Sequence, residues 1–129
     1  MKKLLSCLLA ILGLTTACGQ KNYEDADVRD FAELIEKYDV VVLDVRTADE
    51  FKEGHIEKAL NIDVKQDDFI EKATATLPKD KIIAVYCRSG RRSANAANQL
   101  SSMGYQLVNL KGGIMAWKDN NMPVTTANK

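Results

Sequence analysis

The sequence predicts an α/β domain with a mostly parallel central sheet and helices on both faces. Two observations carry that prediction. Short runs of β-branched and aliphatic residues alternate with helical segments along the chain, and such alternation builds parallel sheets covered by helices. Two of the runs, Val40 to Leu43 and Ile82 to Tyr86, are apolar throughout, as strands buried on both faces are.

The elements follow in order. Phe31, Leu34, Ile35 and Tyr38 are spaced i, i+3, i+4, i+7 and mark one face of a helix. Val40 to Leu43 follows a turn at Asp39 and reads as a strand. Thr47 and Glu50 have capping-box spacing, so a short helix runs from Thr47 to Glu53 and stops at Gly54. Ala59 to Ile62 is a short strand. Asp67 to Leu77 is helical and closed by Pro78. Ile82 to Tyr86 is the second buried strand. The alanine-rich stretch Ser93 to Met103 is a helix that stops at Gly104. Tyr105 to Leu110 is a strand, Gly112-Gly113 a turn, and Ile114 to Asn120 the last helix.

The first residues read differently. Met1-Lys2-Lys3 is basic, Leu4 to Leu14 is almost wholly apolar, and Thr15-Thr16-Ala17 are small. That is the layout of a secretory signal peptide over residues 1–17. The apolar run falls short of the roughly 20 residues a membrane span needs. Residues 18–27 read as a polar, acidic tether, 28–124 as the folded domain and 125–129 as a tail. Of 18 basic residues the signal segment takes Lys2 and Lys3, leaving 16 against 18 acidic ones. No basic stretch dominates, which argues against a nucleic-acid partner.

The chain has three cysteines. Cys7 lies in the signal segment and Cys18 at its end, so Cys87 stands alone in the domain. The sequence from Ile82 to Tyr86 delivers Cys87 to the carboxyl edge of the sheet, where open α/β sheets bind ligands. The loop Arg88-Ser89-Gly90-Arg91-Arg92 leads to a helix beginning near Ser93. Consecutive backbone N–H groups and a helix N-terminus form an anion cradle. Gly90 frees the backbone to turn, and the three arginines add positive charge. Such a setting lowers a thiol's pKa and makes a nucleophilic thiolate.

Cys87-Arg88-Ser89-Gly90-Arg91-Arg92-Ser93 resembles the rhodanese active-site loop. Leu43-Asp44-Val45-Arg46, Glu50-Phe51 and Gly54-His55-Ile56 resemble that family's N-terminal signature. Ala59 to Ile62 resembles the strand that follows. Gly112-Gly113-Ile114-Met115-Ala116-Trp117, ending in Pro123-Val124, resembles its C-terminal signature. Glu57-Lys58 departs from the Pro-Gly common there. The resemblance implies a rhodanese-like fold with about five strands and a sulfurtransferase. In that reaction Cys87 takes sulfur from a donor such as thiosulfate and a thiol or cyanide removes it, with no metal or organic cofactor. The alternatives are a persulfide carrier or redox partner that delivers sulfur to a dedicated protein, and a non-catalytic binding module. Separately, Leu14-Thr15-Thr16-Ala17-Cys18 resembles a bacterial lipoprotein processing box, with Thr15 where an aliphatic residue is usual. It implies a lipidated Cys18 and a domain anchored to a membrane of the cell envelope.

The same resemblance assigns the remaining residues. Backbone groups of Arg88 to Arg92 cradle the sulfur. Arg88 and Arg91 meet the substrate or are merely solvated, and Arg92 either braces the loop or faces the anion. Asp44 and Arg46 form an ion pair that supports the loop, together with Ser93. His55 is structural, and Trp117 with Met115 packs in the core. A class of cysteine phosphatases shares this fold and loop position. Its loop has five residues between cysteine and arginine, whereas here Arg92 follows after four and Tyr86 stands where those enzymes usually have histidine.

Overall fold

A computed structural model describes residues 22–127. The expected signal segment and Cys18 lie outside the described residues. Five strands form one sheet: β1 (Glu24–Ala26), β2 (Val41–Asp44), β3 (Leu60–Asn61), β4 (Ile83–Tyr86) and β5 (Leu107–Leu110). Their order is β1-β5-β4-β2-β3, and every pairing is parallel. The helices between them are α1 (Val28–Lys37), α2 (Ala48–Glu53), α3 (Phe69–Thr76), α4 (Arg91–Ser101) and α5 (Gly113–Asp119).

Alternation along each strand divides the core into two layers. Leu43, Ile83, Val85, Cys87 and Leu107 face one side and pack with Phe69 and Ala73 of α3 and Ala96, Ala97 and Leu100 of α4. Val42, Ala84, Tyr86, Val108 and Leu110 face the other and pack with Phe31 and Leu34 of α1 and Ile114 and Trp117 of α5. Helices therefore cover both faces. The alanines of α4 let that helix lie close to β4, which sets the position of its N-terminus beside Cys87.

Local chemistry sets the element ends. The Asp27 side chain caps α1 by accepting the Asp30 N–H at 2.9 Å. At α2, Thr47 Oγ1 accepts the Glu50 N–H at 3.2 Å, and the Glu50 carboxylate accepts the Thr47 N–H at 3.0 Å. That is the reciprocal capping box the spacing predicts.

Two boundaries differ from the sequence reading. Glu24–Ala26, expected within the tether, is the edge strand β1, paired with Val108 to Leu110. Its three residues are too few and too polar to show a period. Thr125, expected beyond the domain, exchanges backbone hydrogen bonds with His55 at 2.8 and 2.9 Å. Met115, expected in the core, is 44% exposed. On α5 the inward stripe is Ile114 and Trp117, three apart, and Met115 falls one residue off it.

Glu57-Lys58, the departure from the usual turn, has a local cost. Lys58 holds φ at 72°, where a side chain crowds its own backbone.

Candidate active site

Cys87 follows directly on β4 and is 1% exposed. The chain then turns sharply, with Gly90 at φ 108°, and enters α4 at Arg91. This turn wraps donors around the sulfur. The Gly90 N–H donates to Sγ at 3.1 Å and the Ser93 hydroxyl at 3.4 Å.

Burial is the largest single influence on the thiol and pushes its pKa up. The Ser93 hydroxyl and the amides of Ser93, Gly90 and Ser89 together outweigh it, and Cys87 lies below an ordinary cysteine. A recessed sulfur ringed by donors is suited to carrying negative charge. Ser93, expected only to support the loop, is therefore part of the cradle.

Arg92 is turned away from the role of a free cation. Its two terminal nitrogens donate to the two carboxylate oxygens of Glu50 at 2.8 and 2.9 Å. This bidentate pair ties the first turn of α4 to α2. It also holds the Glu50 carboxyl down to about 2, the Arg92 hydrogen bond being the main cause. Of the sequence's two options for Arg92, this geometry is the bracing one. Arg88 and Arg91 are exposed at the rim, and neither forms an ion pair with a described residue. They supply the positive charge that faces solvent at the mouth.

Asp44 and Arg46 lie beneath. Arg46 donates to Asp44 through Nε at 3.0 Å and through a terminal nitrogen at 2.6 Å, and that nitrogen also reaches the Gly54 carbonyl at 2.8 Å. Both residues are buried, yet the hydrogen bonds satisfy them, as a buried pair requires. The Arg46 guanidinium lies 5.6 Å from the centre of the Tyr86 ring. The Tyr86 hydroxyl accepts the Ile56 N–H at 3.0 Å. Burial first, and then the Asp44 charge, push the Tyr86 phenol far above its usual pKa. This cluster fixes the carboxyl ends of β2 and β4, from which the loop springs.

His55 is committed elsewhere. Its ring stacks on Phe51 at 3.6 Å. Its nitrogens lie 2.8 Å from the Phe51 carbonyl and 3.0 Å from that of Ala127. It joins α2 to the C-terminal segment. Trp117 is buried and donates from its indole to the Pro123 carbonyl at 2.8 Å. Among the described residues no cluster of His, Cys, Asp and Glu could hold a metal ion. A surface groove of about 730 Å³ runs between the end of α1, Val40 to Val42 and Met122-Pro123, and no residue of the Cys87 to Arg92 turn lines it.

Sequence reasoning gave Glu50 a capping role and missed its link to Arg92. The only signal was the Glu50-Phe51 block itself, since a contact across 42 positions leaves no local pattern.

A parallel sheet that delivers a buried, hydrogen-bonded cysteine to a strand–loop–helix junction at its carboxyl edge defines a class of α/β domains. Residues 27–120 match the rhodanese-like domain family, and the chain belongs to it. It is 37% identical over 92 residues to a sulfurtransferase of Allochromatium vinosum, covering 70% of this chain and 83% of that one. It is 41% identical over 96 residues to thiosulfate sulfurtransferase 18 of Arabidopsis thaliana, covering 65% and 71%. A rhodanese-related protein of Thermoplasma volcanium, solved by crystallography, superposes with a TM-score of 0.73 at 36% identity, covering 81% of this chain and all of that one.

Proposed function

We propose that this chain is a sulfurtransferase that moves sulfane sulfur through a persulfide on Cys87. The observation that carries this reading is the pair of donors on Sγ, the Gly90 N–H and the Ser93 hydroxyl. The thiolate attacks the outer sulfur of a donor such as thiosulfate. A bond forms between Sγ and that sulfur, the donor's own S–S bond breaks, and sulfite departs with the bonding pair. Cys87 is left as a persulfide anion. The added charge sits one atom further out, towards the exposed Arg88 and Arg91. An acceptor, a thiol or cyanide, then attacks the outer sulfur and the electron pair returns to Sγ. This is covalent catalysis with two half-reactions. The described residues hold no second cysteine, so the acceptor comes from outside the domain.

The loop length supports sulfur over phosphate transfer. Four residues separate Cys87 from Arg92, and Arg92 is spent on Glu50 rather than free to grip a phosphate. The N-terminal pattern supports export and lipidation at Cys18, which would hold the domain at an envelope membrane. Loss of membrane association in Cys18→Ser would be the sign of that anchor.

The test uses intact mass. The protein gains one sulfur on incubation with thiosulfate, loses it on adding cyanide or a thiol, and Cys87→Ser gains none. No gain from any sulfane donor would overturn the reading.

A further inference from the structure

The C-terminal helix approaches the active-site loop more closely than any side chain would permit. A Cβ built on Gly113 would stand 2.3 Å from the Arg88 carbonyl oxygen, 2.4 Å from its carbon and 2.6 Å from the Ser89 nitrogen. All three atoms belong to one peptide unit. Gly113 also holds φ at 64°, which a side chain resists. From this position the first turn of α5 reaches the loop with two amides. The Ile114 N–H donates to the Cys87 carbonyl at 2.9 Å and the Met115 N–H to the Arg88 carbonyl at 3.1 Å.

A peptide unit is planar and trans, so its C=O and N–H point in opposite directions. Anchoring the Arg88 carbonyl on α5 therefore fixes the peptide that opens the turn, and the next amide along it, the Gly90 N–H, donates to Sγ at 3.1 Å. The first amides of a helix have no partners within it, so α5 gives up no internal bond to do this.

We propose that Gly113 is a positioning residue for the sulfur cradle. Its missing side chain lets α5 seat against the Arg88–Ser89 peptide and hold the turn that puts the Gly90 N–H on Cys87. This rests on Cys87 being the reactive thiol. In Gly113→Ala the helix must back away or the peptide must rotate, and the turn carries the Gly90 donor off the sulfur. A hydrogen bond to a charged group is worth enough to move a thiol by about one pH unit or more.

The experiment compares the thiol titration of wild type, Gly113→Ala and Gly104→Ala, read by the pH dependence of Cys87 alkylation. Gly104 also has a positive φ, 98°, but a Cβ there meets only the Lys79 side chain, at 3.8 and 3.9 Å. It carries similar backbone strain far from the cradle. Charged groups near the thiol are Arg88 on the loop, Arg91 and Arg92 on α4, and Glu50 and Asp63 beyond Arg92. They are the same in all three proteins. The expected result is a titration raised by about one unit in Gly113→Ala, with alkylation about tenfold slower at low pH and restored at high pH. Gly104→Ala titrates like wild type. A folded Gly113→Ala with a wild-type titration overturns the proposal. If that variant does not fold, the wild-type amide spectrum decides. The Gly90 amide proton shifts as Cys87 ionises, and a Gly90 amide that stays still overturns the proposal. Neither readout uses a sulfur donor, so this proposal and the sulfur-transfer reading fail independently.

Discussion

Tyr86 and Cys87 are neighbours in the chain, equally buried, and opposite in their acid–base character. Both lie within 1% of complete burial. They leave β4 on opposite faces of the sheet. The Tyr86 phenol meets a carboxylate, Asp44, and is driven far above its usual pKa. The Cys87 thiol meets a ring of N–H and O–H donors and falls below its usual value. Burial penalises the anion in both. What separates them is the sign of the partners the backbone presents on each face. The site is thus made by the turn at Gly90, and a buried cysteine alone would not make one.

The largest break in that contrast should come from Glu50→Gln. It removes the charge that holds Arg92 and loosens α4 from α2, so the cradle donors lose their register. Sulfur-transfer kcat/KM is expected to fall about tenfold, a loss of roughly 1.4 kcal/mol in transition-state stabilisation. The same variant has a pH signature. The folded-state pKa of Glu50 is depressed to about 2 from 4.5. Its contribution to stability is therefore full above about 4.5 and is lost as pH falls towards 2. Acid unfolding of Glu50→Gln should lack that component between the two values, as read by circular dichroism.

Ser93→Ala acts on the sulfur directly. It removes the shortest side-chain donor to Sγ, and the thiol pKa should rise by about half to one unit. Alkylation of Cys87 should slow several-fold near neutral pH and recover in alkaline buffer. An unchanged profile would show that the amides alone hold the thiolate.

Tyr86→Phe tests the other face. It deprives the buried Ile56 N–H of its acceptor, so denaturant titration should show a loss of about 1–2 kcal/mol. The Cys87 titration should not move. A shift would mean that the two faces are coupled. Lys58→Gly, remote from both, should raise stability by less than about 1 kcal/mol, because it relieves a left-handed residue, and should leave the chemistry untouched.

Much of this architecture was legible in the sequence because it is written locally. The face of α1 shows in the spacing of Phe31, Leu34 and Ile35. The cap of α2 shows in Thr47 and Glu50, and the strand–loop–helix around Cys87 in twelve consecutive residues from Ile82 to Ser93. What the sequence hid lies in contacts between distant segments. β1 has only three residues and exists because β5 offers it an edge 84 positions later. The Glu50–Arg92 pair spans 42 positions, and nothing in either segment's pattern announces it. The approach of Gly113 to Arg88 is a matter of backbone distance. Met115 was misplaced because a seven-residue helix shows too little of its period to rank its inward positions.

The most direct test is the titration of Cys87 itself. The thiolate absorbance of the wild-type protein, taken as a difference from Cys87→Ser so that the tyrosines cancel, gives its midpoint. The cradle predicts half-ionisation clearly below the roughly 8.5 of an ordinary cysteine. A midpoint at or above that value would show burial winning at Cys87 as it does at Tyr86, and would contradict the account of this site as a thiolate held ready for sulfur.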